Sequence, residues 1–250
     1  MALVKRDFYL SRSNMMAFLA RLPPQDVGAV TLYLPPGLTP DEVGSYLHAT
    51  GGDDIPAGLA EKAASSRTGS SLFWGLVKRL VLPPFPVKDS AIFPGYNTGP
   101  LTSLLEQDRY IALVLVRLGA YALGVCRGET LLTSKVGTGL VHGWHKKGGS
   151  SQQRFQRHRE KQIEQFLVRV CERVQEHLGP YLDSVDYVVY GGAWTTIELL
   201  QKQCPSLQRL EDRTLPPLLD TPTPKQAVLQ AAVRRIWSSH IVEWQGEDLR

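Results

Sequence analysis

Residues 110–136 read YIALVLVRLGAYALGVCRGETLLTSKV, and the fold turns on how they are read. Residues 110–117 form a continuous apolar run, the pattern of a strand covered on both faces. Gly119 turns the chain and residues 120–126 supply a hairpin partner; Arg127-Gly128-Glu129 makes a second turn into a third strand at 130–136. Gly137, Gly139, Gly143, Gly148 and Gly149 then break the pattern, so 137–152 is expected to be an exposed, mobile loop. Ile163, Phe166, Leu167, Val170, Cys171, Val174 and Leu178 recur at spacings of three and four, predicting a long amphipathic helix that ends at Gly179-Pro180. A strand at 185–190, a helix at 195–202, a short strand at 207–210 and a helix at 225–238 follow. Strands first, then helix and strand in alternation, predict an α/β (α+β) fold with a mixed sheet flanked by helices.

Upstream, residues 14–22 read as a helix stopped by Pro23-Pro24, and 29–34 (AVTLYL) as a strand. Thr39-Pro40-Asp41-Glu42 is a helix start: an N-cap threonine, proline at the first position, then acids at the positive end. Helices are expected at 55–67 and 72–80, with irregular chain at 81–100. This predicts two domains: a small N-terminal α+β unit over 1–105 and a second domain over 106–250.

The 250 residues are 43% hydrophobic and 21% charged, enough to bury a core and unlike a disordered chain. No apolar run approaches the roughly 20 residues of a membrane span, and no apolar region follows the basic N-terminus. No membrane association or secretory signal is therefore expected. Cys126, Cys171 and Cys204 form no C-x-x-C, so a reducing, cytoplasmic setting is expected, with Cys171 acting as a small hydrophobe on the long helix.

Net charge is only +4, but residues 141–161 hold six basic residues (Lys146, Lys147, Arg154, Arg157, Arg159, Lys161) against Glu160 alone. A polyanion would meet the protein here. The stretch 141–160 reads VHGWHKKGGSSQQRFQRHRE. Gly148 and Gly149 remove side-chain bulk at a loop tip. Ser150, Ser151, Gln152 and Gln153 are polar groups that can orient water or bond a carbonyl without titrating. Arg154, Arg157 and Lys161 share one helical face, a stripe suited to a phosphate backbone.

The segment HKKGGSSQQRFQRHRE resembles the Gly-Gly-Gln loop and following helix of the archaeal and eukaryotic class-1 peptide-chain release factors. Gly148 and Gly149 match the two glycines, and Arg154, Phe155, Arg157, Arg159 and Glu160 match the helix start. VDYVVYGGAWTTIELLQK (185–202) is similar to the strand-Gly-helix segment downstream in that family's middle domain, and 110–136 to the strands leading into the loop. Ser150 stands where the family has glutamine. Gly149-Ser150-Ser151-Gln152 is instead similar to the Gly-x-x-Gln pattern of the Vms-like release factors, the branch linked to ribosome rescue.

The resemblance implies an RNase H-like middle domain and codon-independent hydrolysis of peptidyl-tRNA on stalled ribosomes or large subunits. Gln152 would orient the water, Gln153 being the neighbouring alternative, and Gly148, Gly149 and Ser150 would form the tip. Lys146, Lys147, Arg154, Arg157, Arg159 and Lys161, with Trp144 and His145, would grip ribosomal RNA or tRNA. No cofactor is expected, and the chain is expected to act as a monomer. The codon-reading motifs of the release factors' first domain are absent from the sequence, and a GTPase-binding domain is not expected.

Other constellations compete with this reading. His142 and His145 make an H-x-x-H with no nearby cluster to complete a metal site, so no metal is expected. Asp183, Asp186 and Glu198 could serve a metal-dependent nuclease cutting the tRNA 3′ end, or could equally be capping and edge residues. The third alternative is a non-catalytic ribosome- or RNA-binding module.

Overall fold

The first and last strands lie side by side in one sheet: β1 (Leu3–Leu10) pairs antiparallel with β10 (Ser239–Gln245). The computed structural model describes residues 3–23, 28–51, 55–141, 151–216 and 218–245. It divides into two units, Met1–Gln107 with Arg234–Arg250, and Asp108–Val233.

In the first unit, β2 (Val30–Leu34), β3 (Ser70–Trp74), β4 (Lys78–Leu82) and β5 (Ala91–Pro94) complete an antiparallel sheet in the order β1-β10-β4-β3-β2-β5. Helices α2 (Pro40–Gly51) and α3 (Leu59–Ala64) bury Leu32, Leu72, Leu80, Val242 and Trp244 on one face. Helices α1 (Arg12–Leu19) and α4 (Gly99–Glu106) bury Tyr33, Phe73, Val81 and Ile241 on the other. The expected start of α2 is present: the Thr39 amide donates to Glu42 Oε2 at 2.8 Å and the Glu42 amide to Thr39 Oγ1 at 3.3 Å. Lys62 of α3, and then His240 of β10, bond the Asp7 carboxylate and hold its pKa below the ordinary value. That tie is in place above the ordinary carboxylate range and is lost as acid protonates Asp7.

Three expectations are corrected here. Residues 72–80 are not a helix but parts of β3 and β4 and the turn between them. With both sheet faces covered, Leu72-Phe73 and Leu80-Val81 are buried in adjacent pairs, so the alternation that marks a strand is absent. Residues 81–100 are not wholly irregular, since β5 and the start of α4 lie there. The second domain does not run to residue 250, because β10 completes the first sheet by pairing with both β1 and β4.

In the second unit, β6 (Tyr110–Arg117), β7 (Ala120–Arg127) and β8 (Thr130–Thr138) form the expected meander, and β9 (Tyr187–Gly192) joins β6 in parallel. The order β8-β7-β6-β9 fits the mixed, RNase H-like sheet expected from the sequence. Helix α5 (Ser151–Leu178) runs between β8 and β9, and α6 (Trp194–Gln203) and α7 (Pro205–Gln208) follow β9. Ala112, Val114, Val116, Leu123 and Val188 pack on Phe166, Leu167, Val170, Val174, Ile197 and Leu200 from these helices. Ile111, Leu113 and Leu115 are buried on the opposite face. There Leu229 of α8 (Gln226–Ile236) lies so close to Gly124 that a Cβ added to the glycine would be 3.1 Å from it. Burial on both faces is why 110–117 carries no polar residue until Arg117. Residues 207–210 are not a strand: Pro205 opens the single helical turn α7, and Leu207 and Leu210 are buried from it and the residues just beyond. No helix among the described residues is long and apolar enough to cross a membrane.

Cysteine use also differs from expectation. Cys171 on α5 and Cys204 between α6 and α7 form a disulfide with Cα atoms 5.3 Å apart, joining residues 33 apart in sequence. Packing of α5 against α6 and α7 brings them together, which spacing alone does not reveal. Cys126 is free and buried, and burial pushes its thiol up to about 12.

Gly192 closes the end of β9 with φ +126°, and a Cβ there would sit 1.9 Å from the Val116 carbonyl oxygen. Gly37 has φ +93° with nothing within 4 Å of an added Cβ. Gly37→Ala therefore isolates the backbone cost, about 1–2 kcal/mol, and Gly192→Ala adds a collision with the adjacent strand. Denaturant unfolding of the two variants is expected to show the larger loss for Gly192→Ala; equal losses would contradict the close approach of β9 to β6.

Candidate nucleic-acid interface

Helix α5 is longer than the sheet it covers. Its 28 residues span about 42 Å. Phe166 marks where the helix reaches the sheet's rim. Its ring lies 6.3 Å from that of Tyr121, and a Cβ added to Gly139 would be 2.6 Å from its Cδ2. Tyr121 is opposite Gly137 on β8, and the Gly139 amide donates to the Gly119 carbonyl, so all of these lie at one end of the sheet. The 15 residue steps from Phe166 back to Ser151 carry the helix about 22 Å past that end. Exposure agrees: residues 154–158, 160 and 161 are all exposed, and burial becomes complete only at Phe166.

The projecting part is cationic. Arg154, Arg157 and Lys161 share one exposed face, and none has an ion-pair partner among the described residues. The segment's two acids are Glu160, which accepts from Gln156 Nε2 at 3.0 Å on a neighbouring face, and the exposed Glu164, one turn below Lys161. Phe155 stands 69% exposed among these cations. By sequence, the first unit's residues hold twelve basic and twelve acidic side chains, so the whole chain's +4 belongs to the second unit. Electrostatic attraction of a polyanion therefore favours the second unit, on which this stripe is exposed.

Placement of the expected residues is uneven. Trp144, His145, Lys146, Lys147, Gly148, Gly149 and Ser150 lie outside the described residues. The expected loop 137–152 is shorter at both ends: Gly137 and Thr138 still pair with β7, and Ser151 and Gln152 are already helical. Both glutamines, not Gln153 alone, thus belong to the first turn of α5. Arg159 is half-buried and already engaged, apart from the stripe. It is seven residues from Phe166, two helical turns up the face that lower down packs on the sheet. One exposed aromatic at the same rim, Trp194, carries no signal of its exposure in the sequence.

The competing chemistry finds its residues committed elsewhere. Asp183 pairs with Arg209 at 2.9 Å, Asp186 Oδ2 accepts from the Tyr110 amide at 2.8 Å, and Glu198 pairs with Lys202 at 2.7 Å. Among the described residues no group of three or more His, Cys, Asp or Glu could hold a metal ion. The protonated, buried Cys126 thiol is no nucleophile.

The profile of the Actinobacteria/chloroflexi VLRF1 release factors matches residues 109–242, more than half of the 250-residue chain, and the chain belongs to this family. Peptide chain release factor subunit 1 of Methanopyrus kandleri is 34% identical over 129 residues, covering 50% of this chain and 31% of that protein. The same factor from Archaeoglobus fulgidus is 29% identical over 128 residues, covering 49% and 30%. The chain thus spans about a third of the length of the curated relatives it matches. A crystal structure of an archaeal translation termination factor aligns over 90% of this chain and 73% of its own, at 18% identity and a TM-score of 0.38.

Replacing Arg154, Arg157 and Lys161 together by Ala removes three exposed cations. The slope of log affinity for ribosomal RNA against log salt is expected to fall by about 2 to 3, while the thermal midpoint stays within a degree or two because none is buried. Titrations from low to moderate salt measure both; an unchanged slope would show that this face does not meet phosphate.

Proposed function

We propose that this protein is a codon-independent peptidyl-tRNA hydrolase that releases nascent chains from stalled ribosomes or large subunits. The observation that carries the proposal is the projection of α5: a cationic shaft reaches past the sheet and begins at the Gly-x-x-Gln segment. Membership of a release-factor family supports the reading. So does the absence from the sequence of the Asn-Ile-Lys-Ser motif that would accompany stop-codon reading.

In this account Arg154, Arg157 and Lys161, with Lys146, Lys147, His145 and Trp144, hold ribosomal RNA and tRNA. Gly148, Gly149 and Ser150 form a tip small enough to enter the peptidyl-transferase centre. Gln152 orients a water whose oxygen attacks the ester carbonyl carbon. The bond to the terminal ribose oxygen breaks, the water's proton ends on that ribose hydroxyl, and the peptide leaves as a carboxylic acid. An uncharged amide cannot hold the proton, so proton transfer falls to the ribose hydroxyls and the RNA, and the protein's contribution is positioning. The chain works in the cytoplasm, as a monomer, with no cofactor.

Gln152→Ala and Gln153→Ala, added to large subunits carrying peptidyl-tRNA, test the assignment. Loss of one well-placed polar contact of this kind lowers a rate by about 10²–10³-fold. That loss is expected for Gln152→Ala with subunit binding retained, and a mild effect for Gln153→Ala. Wild-type release from both variants would remove glutamine from the mechanism and leave a binding module.

A further inference from the structure

A second contact surface stands at the rim from which the cationic helix projects. The pairing Val116↔Gly192 aligns the ends of β6 and β9, Arg117↔Ala120 aligns β6 with β7, and Ala120↔Thr138 aligns β7 with β8. Thr138, Ala120, Arg117 and the residue after Gly192 therefore form one line across the sheet's end. Trp194 comes two residues after Gly192, three strand spacings or about 14 Å from β8, where the chain leaves toward the loop.

Trp194 is 63% exposed, whereas Trp237 and Trp244 are fully buried and Trp74 has Lys78 over its ring. Among the described residues no ring or cation sits on Trp194. Its flanking Ala193 and Thr195 are exposed too. The indole is thus an open aromatic face; the exposed large hydrophobics at the same end of the sheet are Leu118 and Leu140. Arg117 lies on the same rim, held by its bond to the Thr221 carbonyl, and the second unit carries the chain's whole net positive charge. An open aromatic face with the Arg117 guanidinium on the same rim matches a nucleobase on a phosphate backbone.

We propose that Trp194 is a stacking platform for an unpaired nucleobase of ribosomal RNA, making a contact separate from the cationic stripe. The inference rests on the function proposed above, because it takes the rim to face RNA when the loop is inserted. Stacking and charge leave different signatures. A stacked base adds affinity that salt barely changes, whereas the Arg154, Arg157 and Lys161 contacts set the salt slope.

The test is equilibrium binding of the full chain to purified large ribosomal subunits carrying peptidyl-tRNA, at several salt concentrations, for wild type, Trp194→Ala and Trp194→Phe. Trp194→Ala is expected to bind about 5- to 100-fold more weakly with the salt slope unchanged. Trp194→Phe, which keeps a ring to stack, should stay within about threefold of wild type, and both variants should keep the wild-type thermal midpoint because the side chain is exposed. If wild type binds and releases peptide while Trp194→Ala binds equally well, the stacking platform is overturned and the proposed function stands. Equal weakness of the Ala and Phe variants, or a flattened salt slope for Trp194→Ala, also overturns stacking. Failure of wild type to bind the subunits overturns the function and the platform together.

Discussion

The seating of Phe166 at the rim of the second sheet sets the reach of everything beyond it. Its ring fills the space left by Gly139 and meets Tyr121, and below it Leu167, Val170, Val174 and Leu178 continue the same buried face. Those contacts fix which part of α5 is core and which part is shaft. Moving the seat one turn along the helix would change the projection by about 5 Å, which is large for a probe proposed to enter a narrow RNA cavity. The Cys171–Cys204 bond holds the same helix to its neighbours lower down. The shaft is therefore a continuous helical extension of a packed core.

Charge is arranged along that shaft in a way suited to the proposed chemistry. Cations begin at Arg154, and the stretch 148–153 before them carries no charge. A charged group entering a site already crowded with phosphates and a peptidyl ester would be drawn to the wrong partner or would titrate. A neutral tip avoids both while the cations behind it supply attraction. Under the proposed function, specificity for a stalled complex cannot come from phosphate contacts, which are alike everywhere on RNA. It must come from shape and from contacts such as an aromatic face on an unpaired base.

The sequence was most informative where one periodicity governed a long stretch. The meander over 110–136, the amphipathic spacing of α5 and the capping residues Thr39 and Glu42 all appear as read, because local spacing and local hydrogen bonds determine them. It was least informative where distant segments complete one another. β1 and β10 are edge and neighbour strands from opposite ends of the chain, and β1 is exposed along most of its length, so neither shows a clean alternation. Residues 72–80 looked helical because covering both faces of a sheet erases the period of two. Of the candidate site, the cationic stripe was legible from spacings of three and four. The inward placement of Arg159 was not, since it depends on which face of α5 meets the sheet. Trp194 gave no signal because its exposure is a fact of packing. The cysteine pair went unread for the same reason.

In the proposed reaction the helix and its loop deliver water to an ester and leave RNA uncut. The most direct measurement is the state of the tRNA 3′ end after wild-type protein has acted on large subunits carrying peptidyl-tRNA. Free peptide is expected together with full-length tRNA whose terminal adenosine can be charged again. Peptide released still attached to nucleotides, with a correspondingly shortened tRNA, would contradict that reaction.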